Sequence, residues 1–382
     1  MSISTFKMAN KLITGHGATK ALTQELERLN VFNPLLVTDE ILENVGVVDQ
    51  ITPLLSGPSY GIFTGVKPDP ELRIVEACAD VFNNGKHDGL IAIGGGSAID
   101  IAKSVSAFAS FNGQLSELLG TDLVPEKGCP LIALPTTAGT GSEVTNISIL
   151  SDQEAQLKKG MVSDHLLPDV AVVAPEMTLT MPPSVTAASG VDALVHAVEA
   201  YISVHASPIT DALAIHAVKM IAENLPKAYA NPDHVQAREQ MAVGSLMAGM
   251  AFGNAGVGAV HALAYPLGGR YHIAHGVSNA LLLPYVMEWN KMACVERFRN
   301  IAVALGEKVE HLSDHDAADT AVLAMERLCR DVNIPTGLRS FDIPETALPE
   351  MAEDASKIER LLNNNPRKLS KDDIEKIYQS AY

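Results

Sequence analysis

Basic side chains are in short supply in this chain: 28 Lys and Arg stand against 45 Asp and Glu, a formal net charge of −17. A field of that sign repels nucleic acid and anionic membrane, so neither is an expected partner, and the excess acid reads as solubility. Aromatic residues make up only 5%, with one Trp, so Ala, Leu, Val, Ile and Gly must fill the interior. Four cysteines, Cys78, Cys129, Cys294 and Cys329, lie far apart and form no CxxC pair. They read as reduced, mostly buried thiols and point to a cytoplasmic location. No apolar run approaches the ~20 residues of a membrane span, and the longest, around 280–287, is interrupted by Pro284. The opening stretch MSISTFKMANKLITG lacks the apolar centre of a signal peptide.

What is present describes a globular enzyme-sized chain. At 382 residues, 47% hydrophobic and 19% charged, two domains are expected. Short apolar runs at 35–38, 61–63, 90–93, 131–134 and 170–173 alternate with helical periodicity at 18–29 and 70–83. That alternation predicts a parallel α/β sheet. The segment Met181-Pro182-Pro183-Ser184 reads as a hinge. Beyond it the strand signals stop, and Ala-rich helical runs follow at 189–203, 208–225, 235–251, 254–267, 295–305 and 317–332. The expected fold is therefore an α/β dinucleotide-binding domain over 1–181 and an all-α metal-binding domain over 182–382, with the active site in a cleft between them.

Four side chains in the second half carry the chemistry. Asp192 and His196 lie four residues apart in GVDALVHAVEAY, a step that sets both on one helix face. His261 and His275 lie in GAVHALAYPLGGRYHIAHGVSNA. One carboxylate and three imidazoles suit Fe²⁺, Zn²⁺ or a similar divalent ion. The remaining histidines have no such spacing and read as structural.

The first half offers two Gly-rich loops after predicted strands. Gly94, Gly95, Gly96 and Ser97 open a helix, where backbone amides and the helix N-terminus favour a pyrophosphate; a plain strand-to-helix turn has the same look. Thr136, Thr137 and Ser142 lie in PTTAGTGSE after the next strand. Asp39 ends the first strand, where a carboxylate can bind a ribose hydroxyl and favour NAD over NADP. Yet Asp39 precedes the glycines, the reverse of the usual fingerprint, and TDEIL also looks like a helix cap.

The ordered motifs FTGVKPDP, IGGGSAIDIAK, LPTTAGTGSEVT, GVDALVHAVEAY, AHGVSNALLLP and LLNNNPR resemble those of the iron-containing (group III) alcohol dehydrogenase family nearly end to end. The resemblance implies a dehydroquinate synthase-like architecture and an NAD-linked oxidoreductase acting on a small alcohol or aldehyde. It implies that Asp192, His196, His261 and His275 bind the metal, commonly Fe²⁺ with Zn²⁺ possible. Asp39, Gly94 to Ser97, Thr136, Thr137, Ser142 and Lys159 would surround NAD, and a homo-oligomer, dimer or larger, is expected. One departure concerns catalysis. Many relatives carry a histidine four residues after the third ligand, often assigned to proton relay; here that position is Tyr265. Tyr265 and His272 are the titratable candidates for the role, with a surface position the plainer reading of His272. Phe252 is a candidate pocket wall. Rival expectations are a dehydroquinate-synthase-like lyase, a hydroxyacid–oxoacid transhydrogenase in which Arg270 meets a substrate carboxylate, and a metal- and nucleotide-binding sensor.

Overall fold

The computed structural model describes residues 3–55, 59–152 and 157–382. The chain divides into two compact units, one running from Lys7 to Met181 and the other comprising Pro182–Tyr382 with the N-terminal stretch through Phe6.

In the first unit the strands are β1 (Leu12–Thr14), β2 (Pro34–Val37), β3 (Gly61–Phe63), β4 (Gly89–Gly94), β5 (Gly120–Thr121), β6 (Leu131–Pro135), β7 (Ile147–Asp152), β8 (Leu157–Val162) and β9 (Val170–Val173), with helices α1 (Leu22–Leu29), α2 (Glu40–Asn44), α3 (Leu72–Asn84) and α4 (Gly96–Phe108). Six strands form a parallel sheet in the order β3-β2-β4-β6-β9-β1. Its centre is buried on both faces, which is why β2, β4, β6 and β9 are continuous apolar runs rather than alternating ones. Alternation still decides which core each side chain joins. Leu35, Leu90, Ala92, Leu131 and Ala133 pack with Val75 and Ile99 on one face. Leu36, Ile91, Ile93, Ile132 and Leu134 pack with Leu22 and Leu26 on the other.

The strand order places the ligand-binding edge. From β2 the chain moves outward to β3, then crosses to the opposite side of β2 to lay down β4. The reversal makes a topological switch point at the carboxyl ends of β2 and β4. Asp39 follows β2 and Gly95 follows β4, so two residues remote in sequence flank that point.

Three strands were not anticipated as a separate sheet. β7 and β8 form an antiparallel hairpin, and β5 pairs with β8 in parallel. The LKKGMV run of β8 carries consecutive lysines and no continuous apolar signal, so periodicity alone does not reveal it. This sheet is tied to α4 by a buried polar cluster. The Lys103 ammonium, fully buried on α4, donates to Ser142 Oγ at 3.0 Å, Thr145 Oγ1 at 3.1 Å and the Ile147 carbonyl at 2.8 Å. Asp100 accepts from Ser142 Oγ at 2.5 Å and from the Ile149 amide at 3.0 Å. Burial lowers Lys103 to about 8 and raises Glu143, also buried, to about 7.

The second unit contains α5 (Pro183–Ile202), α6 (Pro208–Ala230), α7 (Val235–Ala255), α8 (Ala259–Tyr271), α9 (His275–Asn290), α10 (Val295–Ala304), α11 (Asp314–Asp331), α12 (Leu348–Ser356), α13 (Glu359–Leu362) and α14 (Lys371–Ser380). Helix α5 is buried along nearly its whole circumference from Val191 to Ile202, as a central helix must be, and packs on α6, α7 and α9. The helical run expected over 254–267 is broken. Gly256 has φ +76°, and α7 and α8 meet there at a bend of 102°. Helix α9 carries Pro284 inside it, the residue that interrupts the apolar run around 280–287. Among the described residues no single helix is long and apolar enough to cross a membrane.

Glu143 generates a pH prediction. Between its ordinary pKa of 4.5 and its folded value of about 7, the native state keeps a proton that the unfolded chain releases. Stability therefore falls as pH rises through that window. Glu143→Gln should flatten this slope and gain stability over wild type above pH 7. Urea unfolding at pH 5 and pH 8 tests it; an equal wild-type-minus-variant difference at both pH values refutes it.

Candidate metal centre and dinucleotide site

Three helices contribute to one buried cluster. Ligand atoms of Asp192 (α5), His261 (first turn of α8) and His275 (first residue of α9) all lie within 4.8 Å of one another. The close approach of α9 to α5 requires Gly276, because a Cβ there would lie 2.6 Å from the Ala188 carbonyl oxygen. Glu199, also on α5 and buried, accepts from His261 Nδ1 at 2.6 Å and from the Val260 amide at 2.6 Å. A carboxylate on Nδ1 fixes the tautomer in which Nε2 carries a lone pair. His261 Nε2 is buried and has no hydrogen-bond partner. A buried polar atom of that kind is costly unless a ligand meets it, so the residues present fit a divalent cation.

Asn279, one turn after His275, donates to Asp192 Oδ1 at 2.7 Å and bonds His275 Nε2 at 3.1 Å. Burial alone pushes the Asp192 carboxyl up; the neighbouring His196, His275 and His261 imidazoles and the Asn279 amide outweigh it and hold it below the usual carboxylate value. His196 is not among the three residues whose ligand atoms meet that spacing, yet it acts on Asp192 and touches His261. Its ring is stacked between Phe252, at 4.2 Å between centroids, and His261, at 4.7 Å.

The other candidates separate clearly. Tyr265 lies half-buried on α8 one turn beyond His261. Burial raises its phenol, while the Arg360 guanidinium hydrogen-bonded to it acts in the opposite direction. His272 is exposed in a left-handed conformation at the end of α8 and is not part of the ligand cluster. Arg270 is engaged by Glu350 and Asp354 in surface ion pairs, which removes the sequence argument for a carboxylate-binding role.

In the first unit, Gly95 caps α4 without any side-chain hydrogen bond, and no acidic residue occupies the first turn. The helix start thus presents its amides to an anion. The second loop packs directly against the first. The Thr136 amide donates to the Gly94 carbonyl at 3.0 Å, and a Cβ on Gly95 or Gly96 would meet Thr137 Oγ1 at 3.2 Å or Thr140 Cγ2 at 2.9 Å. Ser97 lies in the first turn of α4. Asp39 caps α2 with one oxygen, accepting from the Leu42 amide at 2.9 Å, so the cap reading holds for that oxygen. The Ser142 hydroxyl is engaged by Asp100 and Lys103 and supports the loop from beneath. Lys159 lies on β8, opposite Leu150.

Glu199, Asn279, Lys103 and Arg360 were missed by sequence reasoning. Glu199 and Asn279 were detectable in principle: Glu199 follows His196 by three residues and Asn279 follows His275 by four, both on ligand-bearing faces.

Comparison with known proteins gives a consistent result. A family profile described as iron-containing alcohol dehydrogenase matches residues 9–175, and the profile of that family's C-terminal domain matches residues 186–382. The chain is 47% identical over 373 residues to long-chain-alcohol dehydrogenase 1 of Geobacillus thermodenitrificans, covering 96% of this chain and 94% of that one. A crystal structure of a 1,3-propanediol oxidoreductase superposes with a TM-score of 0.98 at 40% identity, covering 100% of both chains. That of a sulfoacetaldehyde reductase from Bifidobacterium kashiwanohense in complex with NAD⁺ superposes with a TM-score of 0.92 at 30% identity, covering 100% of this chain and 99% of that one.

Replacing Glu199 by Gln should weaken binding of Zn²⁺ or Co²⁺ by ~10–100-fold through loss of the Nδ1 acceptor. Chelator-competition titration measures this directly; an unchanged dissociation constant would show that Glu199 does not support the centre.

Proposed function

The chain belongs to the iron-containing alcohol dehydrogenase family, and on that premise we propose a metal-dependent alcohol dehydrogenase and aldehyde reductase that uses NAD(H). The observation that carries the reading is the buried carboxylate–imidazole cluster with its unpartnered His261 Nε2. Asp192, His261 and His275 would hold Fe²⁺ or Zn²⁺, with His196 as the fourth ligand. A cation held there supplies Lewis acidity toward an alcohol or carbonyl oxygen, and NAD(H) supplies the acceptor or donor of hydride.

The chain's own residues do the rest. Glu199 keeps His261 in one tautomer and orientation. Asn279 holds Asp192, and Phe252 covers the face of His196, which supports its role as an apolar wall. The amides at the start of α4 would receive the pyrophosphate. Asp39 would accept from a ribose hydroxyl with the oxygen its cap does not use, and its charge would repel a 2′-phosphate. Lys159 is proposed to approach the cofactor. Tyr265 takes the relay position, and Arg360 beside it lowers the cost of its ionised form.

Anaerobic protein reconstituted with Fe²⁺ or Zn²⁺ should consume NADH with a panel of aldehydes, and metal-free protein should not. Equal turnover without metal would overturn the proposal. Asp39→Gly should raise use of NADPH relative to NADH, read from the two kcat/KM values. Tyr265→Phe should abolish one limb of the kcat pH profile; an unaltered profile would exclude the hydroxyl from proton transfer.

A further inference from the structure

The LLNNNPR motif near the C-terminus has no part in the chemistry above, yet it reaches the ligand-bearing helices. The residue before helix α8 is Gly258, which has no side chain to cap it. Its first amides are instead bonded by side chains distant in sequence. The Ala259 amide donates to Asn365 Oδ1 at 3.3 Å, and the Val260 amide to Glu199 Oε1 at 2.6 Å. His261 is the next residue. A Cβ on Gly258 would lie 3.1 Å from Asn365 Oδ1 and 3.3 Å from Glu199 Oε1, so these two side chains close on the turn from opposite partners.

Asn365 is itself held on both side-chain polar atoms. It is only 5% exposed. It exchanges two amide hydrogen bonds with the fully buried Asn290 at the end of α9, at 2.9 and 2.7 Å, and donates to the Arg367 carbonyl at 2.6 Å. Its neighbour Asn364 donates to the Val257 carbonyl at 2.9 Å within the same turn. Arg367 anchors the segment by lying over the Trp289 ring, 3.8 Å from its centroid, and donating to the Trp289 carbonyl at 2.8 Å.

We propose that Asn365 is a positioning residue for the metal centre: by capping α8 and locking it to α9, it sets the place of the His261 imidazole. The inference rests on the metal-binding reading of Asp192, His261 and His275. The test is Co²⁺ titration of the full-length, metal-stripped protein, followed by the d–d absorption of the bound ion, with thermal unfolding recorded on each variant. Asn365→Ala should weaken Co²⁺ binding by ~10-fold or more and alter the band shape. Asn365→Asp keeps an acceptor for the Ala259 amide, and should restore most of the affinity even where its melting temperature falls. Arg367→Met loosens the same segment without touching α8; it should lose thermal stability while keeping the wild-type cobalt spectrum and affinity.

A wild-type cobalt spectrum and affinity in Asn365→Ala would overturn the proposal. So would failure of Asn365→Asp to recover affinity, or an equal loss of affinity in Arg367→Met, because each would reduce the effect to general loosening. His261→Ala tests the underlying reading separately. If it binds Co²⁺ like wild type, the metal site itself is misassigned and the role of Asn365 falls with it.

Discussion

One buried carboxylate organises the helical unit. Glu199 accepts from the backbone at the start of α8 and from the first imidazole that helix carries. A charge at that depth is tolerated only when its lone pairs are met. The demand can be met only if α5, the bend after α7 and the opening turn of α8 take up one arrangement. Backbone geometry and ligand orientation are therefore set by the same atom pair. The glycines at the bend follow from this: side chains at Gly256 or Gly258 would collide with Asn364 or crowd Asn365 and Glu199.

The α/β unit solves a similar problem with the opposite charge. The Lys103 ammonium is withdrawn from water and satisfied by the loop that follows β6 and by the start of β7. Because Lys103 belongs to the helix opened by the first Gly-rich turn, both loops are held from below by one cation. Their residues, from Gly94 to Ser97 and from Thr136 to Ser142, are small or hydroxyl-bearing. The polar interior acts as scaffold for both loops.

Much of this was legible in the sequence. The central strands were visible because strands buried on both faces must be continuously apolar: the runs at 35–38, 90–93, 131–134 and 170–173 coincide with β2, β4, β6 and β9, and the run at 61–63 with the edge strand β3. The all-helical character of the second half was visible in its Ala-rich periodicity. The hairpin of β7 and β8 was not, since its second strand opens on charged residues. Helix α9 accommodates Pro284 within its packing on α5, α8 and α11. At the site, spacing suggested Asp192 and the three histidines together. It could not show that His196 would stack on Phe252 and His261 while the other three drew together. Nor could it supply a partner such as Asn365, since long-range hydrogen bonding leaves no local pattern.

The Asn279 amide, shared between Asp192 and His275, bears on how an ion could be acquired. In many small metal domains the ion is what makes the chain fold. Here a neutral side chain already quiets the acid and the imidazole, within a unit whose core is built from Ala, Leu and Val. An ion held there would meet two side chains that a single amide already tethers across α5 and α9.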